Sequence, residues 1–262
     1  MFEKRTFCIV TGAGKGLGKC ITQKFAARLA SSSVLLLLAR SVQAMETVKA
    51  SIESEFKHVT VAIKYFDQGD LSTDHRALFL DCLNTCKLSA ADFEQAVIVH
   101  NSGTLGDVTK YAEELSDRKV LEDMFNISVN GLILLNSAFL QTFDKKSVQR
   151  RVVINISSLC AVQPFSSWSL YCTAKAARDM FFRTLAVEDA EARVLNYAPG
   201  PLDTDMQMRC REDTKDSKIR QAFIDMKAEG KLLSCKESVD KLICLLEKNI
   251  FESGAHVDFY DI

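Results

Sequence analysis

The sequence predicts an α/β fold, a doubly wound parallel sheet in a single domain. Three observations predict it. Short apolar runs recur with room for one helix between them. Most runs are continuous rather than alternating, as strands buried on both faces require. The segments between several of them carry helical periodicity, and strand–helix alternation implies a parallel sheet. Phe7–Val10 is the first strand, and Leu17, Ile21, Phe25 and Leu29, spaced by four, predict a helix over Leu17–Ala30. Val34–Ala39 is the second strand and Val42–Phe56 its helix; Val59–Ile63 is the third, followed by a helix over His75–Leu88. Ala96–Val99, Val152–Ile156 and Val194–Tyr197 are the fourth to sixth strands, and Val257–Phe259 is a candidate seventh. No repeat or linker interrupts them, so residues 1–262 read as one domain.

Composition excludes several function classes. The chain has 262 residues, 47% hydrophobic and 26% charged, enough to bury a core and too apolar to be disordered. Thirty-three basic and 34 acidic residues leave a formal charge of −1, no footprint for nucleic acid or an anionic membrane. The longest apolar run has six residues, Val34–Ala39, and nothing resembles a signal peptide. Nine cysteines without regular spacing suit a reducing compartment, so a cytoplasmic protein is expected. Cys82 and Cys86 share a helix face but lack two further ligands nearby, and no metal is expected. Fourteen of the 29 residues from Asp203 to Lys231 are charged. The stretch follows a strand end and the Pro199-Gly200-Pro201 turn. It reads as a lid over a pocket, against the alternative of a solvated helix.

Eleven glycines serve the whole chain, yet Gly12, Gly14, Gly16 and Gly18 fall within seven residues. They follow the first strand and open the first helix. Such a turn lets backbone N–H groups approach a pyrophosphate, and the helix dipole favours the charge. In this Rossmann-type setting Lys15 and Leu17 belong to the same loop. The second strand ends in Ala39-Arg40-Ser41. An acidic residue there would bind a ribose 2′-hydroxyl, whereas the planar fork of Arg40 suits a 2′-phosphate. With Lys15 as a second cation, NADPH is expected over NADH.

Tyr171 and Lys175 lie four apart, on one helix face. Carbonyl reduction needs a proton at oxygen, and a nearby ammonium is expected to lower a tyrosine's pKa toward neutrality. Ser158, at the end of the fifth strand, can donate to the carbonyl oxygen as charge develops. Leu105, Phe165, Trp168, Cys172 and Met206 are expected to wall a flat apolar pocket. Asp258 stands alone on an otherwise apolar strand; the alternatives are a substrate anchor and a salt bridge to a lysine or arginine.

The Gly12-x3-Gly16-x-Gly18 spacing, with Tyr171-x3-Lys175, resembles the short-chain dehydrogenase/reductase family, and the chain length fits it. The resemblance implies an Asn130, Ser158, Tyr171 and Lys175 catalytic set. It implies Asp70 and Leu71 as adenine contacts and Asn101 in the turn after the fourth strand, here Asn-Ser-Gly with Ser102 for alanine. His100, before that turn, stands where an asparagine is often found. Leu202, Thr204, Asp205, Met206 and Gln207 match the cofactor-covering segment. From Asn155 onward, and in the Ser253–Asp261 tail, the chain is similar to members that reduce side-chain ketones of pterins such as sepiapterin and 6-pyruvoyl-tetrahydropterin in tetrahydrobiopterin biosynthesis. That implies Leu159, Gly200 and Asp258 at the substrate, Asp258 gripping the pterin with a bidentate carboxylate, and a homodimer. Met124, Phe125, Leu132, Leu134, Leu135 and Phe139 are either a dimer face or core. The rival readings are a general carbonyl or diketone reductase and a non-catalytic NADPH-sensing module.

Overall fold

The computed structural model describes residues 2–261; Met1 and Ile262, the ends of the expected domain, lie outside the described residues. Seven strands form one sheet: β1 (Thr6–Thr11), β2 (Ser33–Ala39), β3 (Val59–Tyr65), β4 (Gln95–His100), β5 (Arg150–Ile156), β6 (Ala192–Ala198) and β7 (His256–Asp258). Their order is β3-β2-β1-β4-β5-β6-β7, and every neighbouring pair is parallel. The chain runs outward from β1 to β3 and then returns to β4. That reversal leaves a crevice at the carboxyl ends of β1 and β4, where such sheets bind ligands.

The helices are α1 (Gly16–Ala26), α2 (Val42–Glu55), α3 (His75–Thr85), α4 (Arg118–Phe125), α5 (Gly131–Thr142), α6 (Ser169–Glu188), α7 (Asp205–Asp213), α8 (Ser217–Ala228) and α9 (Cys235–Lys248). Side chains of α1, α2 and α9 share one core layer with Cys8, Val10, Leu35 and Leu37. Those of α3, α5 and α6 share the other with Phe7, Ile9, Val34 and Leu36. Successive strand residues thus bury on opposite faces, which is why the runs are continuously apolar. The expected β7 is shifted by one residue, because Phe259 begins a 3-10 turn. The first helix ends at Ala26 rather than Ala30, where the N–H groups of Arg28 and Leu29 both turn back to the carbonyl of Phe25.

Helices α4 and α5 join through a π turn, Asn126–Asn130. The widened turn leaves the Ile127 carbonyl to accept from Gln68 Nε2 at 2.5 Å. A Cβ on Gly131 would come 1.8 Å from the Gln68 carbonyl oxygen, so only glycine permits this approach. The joined helix, Arg118–Thr142, is long and apolar enough to cross a membrane by length and composition. Its apolar side is instead spent on the sheet: Leu132, Leu135 and Phe139 are wholly buried. With Met124 also buried, the dimer-face alternative fails for these four residues, which are core; Leu134 remains exposed. The charged stretch after β6 folds as two helices, α7 and α8, rather than one.

Candidate active site

The glycine turn has the backbone its chemistry needs. Gly12 and Gly16 have φ of 66° and 52°, where a side chain would be strained. Gly12 N–H donates to the Leu38 carbonyl at 2.7 Å. A Cβ on Gly18 would lie 2.2 Å from the Gly12 carbonyl oxygen, so α1 packs directly on the turn. Lys15 precedes α1 with extended backbone and no side-chain cap, which leaves the first N–H groups of the helix to a ligand. Asn101 braces the turn from β4: its amide donates to the Thr11 carbonyl at 2.9 Å. The Asn101 and Ser102 N–H groups both reach Thr11 Oγ1 at 2.9 Å, so the turn tolerates Ser102. Gly14 packs against Ala44 of α2. These residues fit the pyrophosphate of a dinucleotide.

The remaining expected cofactor contacts divide. Arg40 is exposed and, among the described residues, forms no ion pair. Lys15 pairs with Asp205 at 2.7 Å, so the second cation is already matched by a carboxylate across the groove mouth. Ser41 caps α2 by accepting from Ala44 N–H at 3.2 Å. Asp70 accepts from the backbone and hydroxyl of Ser72 at 3.0 and 2.6 Å, and Leu71 is exposed beside it. Thr204 lies over the turn, its methyl 3.8 Å from where a Gly16 Cβ would be. Leu202 bridges to Leu233, and Met206 is exposed. Gln207 is buried and donates to the Phe223 carbonyl at 3.3 Å, a bond between α7 and α8.

Helix α6 carries Tyr171, Lys175 and Arg178 at spacings of four and three, one face of one helix. Lys175 Nζ donates to the Ile156 carbonyl at the end of β5 at 2.8 Å and sits 5.5 Å from the Tyr171 ring centre. Ser158 follows on the same strand end, half-buried, its hydroxyl accepting from Cys160 N–H at 3.2 Å. A cavity of about 10 Å³ is lined by Gly103, Ser128, Tyr171, Lys175 and Arg178 among others. A larger one, about 350 Å³, shares Thr104 and Met124 with it and is walled by Asp107, Asp123 and Arg209.

Asn130 is not part of this cluster. It is exposed and donates to Asn126 Oδ1 at 2.8 Å. Two residues on a helix are about 200° apart, and it is Ser128, buried, that faces Tyr171 and Lys175. Arg178 was also missed, although its spacing from Tyr171 and Lys175 was the signal. Its guanidinium donates to the His100 backbone carbonyl at 2.7 Å, tying α6 to the end of β4. His100 Nε2 meets Asn136 Oδ1 at 3.2 Å, and burial pushes its pKa down to about 3.

The electrostatics also correct an expectation. Burial pushes the Tyr171 hydroxyl up, with Cys160 and Cys210 adding to it; a Ser158 hydrogen bond and the Arg178 charge oppose. Lys175 is itself pushed down to about 7, first by burial and then by Arg178. Arg178 is thus a cation that acts against the rise at Tyr171 beside Lys175, which lies against its ring. The tyrosine stays protonated at neutral pH, ready to donate.

Leu105, Phe165, Trp168 and Cys172 pack with Tyr171 as expected, but Met206 lies outside that cluster. The charged stretch after β6 occupies the flat face: Phe223 of α8 stacks on Trp168 at 5.1 Å, and Trp168 Nε1 donates to Thr214 at 3.1 Å. Leu159 is exposed beside Ser158. Gly200 has φ of 76° and is wedged against Leu233 and Phe259. Asp258 is half-buried opposite Ala198 of β6. It accepts from Tyr260 N–H at 3.0 Å and, among the described residues, pairs with no lysine or arginine.

Comparison with known proteins agrees with this geometry. Residues 6–215 match the family model of the short chain dehydrogenases. The chain is 39% identical to the sepiapterin reductase of Bos taurus over 258 residues, covering 98% of this chain and 95% of that one. It is 27% identical to the benzil reductase of Bacillus cereus over 255 residues, covering 95% and 96%. The crystal structure of the KRED1-Pglu enzyme superposes with a TM-score of 0.80 at 24% identity, covering 96% of this chain and all of that one, a likeness of fold. The chain belongs to the short-chain dehydrogenase/reductase family and is an oxidoreductase.

Proposed function

We propose that this enzyme uses NADPH to reduce side-chain ketones of a pterin of the sepiapterin or 6-pyruvoyl-tetrahydropterin type, in tetrahydrobiopterin formation. The observation that carries the pterin is Asp258. A half-buried carboxylate at the end of β7, without a lysine or arginine partner among the described residues, suits a ligand that supplies two adjacent N–H groups. The likeness to sepiapterin reductases along the whole chain supports it.

The turn of Gly12 to Gly18, the α1 N-terminus and Arg40 would hold the dinucleotide, which supplies a hydride when bound. The protein supplies the rest. Ser158 donates to the carbonyl oxygen and orients it. The Tyr171 O–H bond breaks and the proton passes to that oxygen, leaving a phenolate on the protein and a secondary alcohol as product. Lys175, fixed by the Ile156 carbonyl, stabilises the phenolate. The segment 203–231 acts as a lid, excluding water through the Phe223–Trp168 stack. Exposed Leu134 on α5 and Met180 and Val187 on α6 suit a homodimer, which sedimentation at twice the chain mass checks. Nine free thiols suit a cytoplasmic setting.

A general diketone reductase is the second reading, favoured by the likeness to a benzil reductase. NADPH oxidation with sepiapterin and with a simple diketone, for wild type and Asp258→Ala, separates the two. The pterin reading expects a large rise in sepiapterin KM and little change with the diketone. Equal loss on both substrates would overturn the anchor.

A further inference from the structure

We propose that Arg178 is a positioning residue whose fixed charge, held in the wall of the catalytic cavity, sets the ease of proton transfer from Tyr171. This deepens the reading above and rests on Tyr171 being the proton donor.

Arg178 is 1% exposed, one helical turn beyond Lys175. Its three nitrogens all meet neutral acceptors: Asn155 Oδ1 at 2.9 Å, the Ser102 carbonyl at 3.0 Å and the His100 carbonyl at 2.7 Å. Among the described residues no carboxylate lies within ion-pair distance of it. Asp179, next in sequence, is engaged elsewhere, by Asn155 Nδ2, Ser157 Oγ and His256 Nδ1. A buried cation without an anion is costly, and an apolar side chain of similar volume would commonly serve stability as well or better.

The cavity explains the cost. Arg178 lines it together with Tyr171 and Lys175. When the Tyr171 O–H bond breaks and the proton goes to the carbonyl oxygen, the phenolate left behind is the anion that Arg178 lacks. In a water-poor site that attraction is strong, and it exists only once the proton has begun to leave. The groups facing Tyr171 are Lys175 on its own helix, Ser158 and Cys160 after β5, Cys210 of α7 and Arg178; those facing Lys175 are Tyr171, Arg178, Asp179 and Cys160. Arg178 is the cation common to both sets. It opposes the upward push on Tyr171 and adds to the downward push on Lys175. It also ties α6 to the residues on either side of Asn101, whose amide braces the glycine turn.

The test is the pH dependence of kcat for NADPH-driven reduction of butane-2,3-dione by wild type, Arg178→Gln, Arg178→Lys and Tyr171→Phe. The diketone keeps the result independent of Asp258. The alkaline limb reports the Tyr171–Lys175 pair. Removing the cation is expected to move that limb up by roughly half a unit or more, with kcat at neutral pH falling about tenfold or more. Arg178→Lys keeps the charge but not the fork, so its limb stays in place. A limb common to wild type and Arg178→Gln overturns the proposal, as does one displaced equally in both variants. Where Arg178→Gln does not fold, Arg178→Met takes its place as the variant without charge: a limb moved up supports the proposal and one at the wild-type position overturns it. Turnover surviving in Tyr171→Phe would instead refute the proton-donor reading itself.

Discussion

Gly18→Ala sets two physical effects against each other. Gly18 lies inside α1 without a positive φ, so helix propensity alone would have alanine stabilise the protein by up to about 1 kcal/mol. The close approach says otherwise. The new Cβ would stand 2.2 Å from the Gly12 carbonyl oxygen and 2.5 Å from Asn101 Nδ2. The oxygen belongs to backbone that is pinned by Gly12 N–H to Leu38 and by the Asn101 amide. Relief requires the start of α1 to move by about 1 Å relative to the turn. Misplacement of that size costs on the order of 100-fold, equivalent to about 2.7 kcal/mol, which exceeds the propensity gain. The expected result is a Kd for NADPH raised about 100-fold, read by fluorescence titration, with kcat/KM for a diketone falling in proportion. Binding within twofold of wild type, together with a raised Tm, would show that α1 does not press on the turn as described.

Three further outcomes are expected. Arg40→Asp removes a charge-assisted fork, so the NADPH to NADH preference in kcat/KM should fall by about tenfold or more; an unchanged ratio would remove Arg40 from the cofactor site. Tyr171→Phe should lower kcat about 100-fold or more while the Kd for NADPH stays near wild type, and equal loss of binding would point to a packing role. His100 is wholly buried and its folded pKa lies well below the unfolded value of about 6.5. The unfolded chain therefore binds the extra proton first, and stability is lost as pH falls from about 6.5 toward 3, by up to about 1.4 kcal/mol per unit. Denaturant titrations from pH 7 to pH 4 should give His100→Asn a shallower acid loss than wild type, and parallel curves would refute the assignment.

The sheet and the glycine turn were legible because their causes are local. Residues of β1 alternate between two core layers, so both must be apolar, and continuous runs follow. The turn needs glycine where φ is positive or where backbone meets backbone, and that leaves a cluster no other segment of the chain repeats. Tyr171, Lys175 and Ser158 were legible because helical spacing and a strand end place them. Asn130 was misplaced because the π turn of 126–130 changes which residue faces α6, and no spacing in the sequence announces it. The two helices of the charged stretch were hidden because α7 buries only Gln207 and Cys210 and α8 buries no residue fully, its Phe223 being half-buried on Trp168.

Sequence alone determined the succession of strands, the first three helices, the glycine turn and the tyrosine–lysine face, since each rests on side-chain size, periodicity or backbone freedom within a few residues. Only the tertiary structure decided which groups share the catalytic cavity. Ser128 enters it through the π turn. Arg178 enters it because α6 crosses the ends of β4 and β5, where the carbonyls of His100 and Ser102 hold its fork. The proton affinities followed from that burial, because the field of a charge depends on what surrounds it and not on its neighbours in the chain.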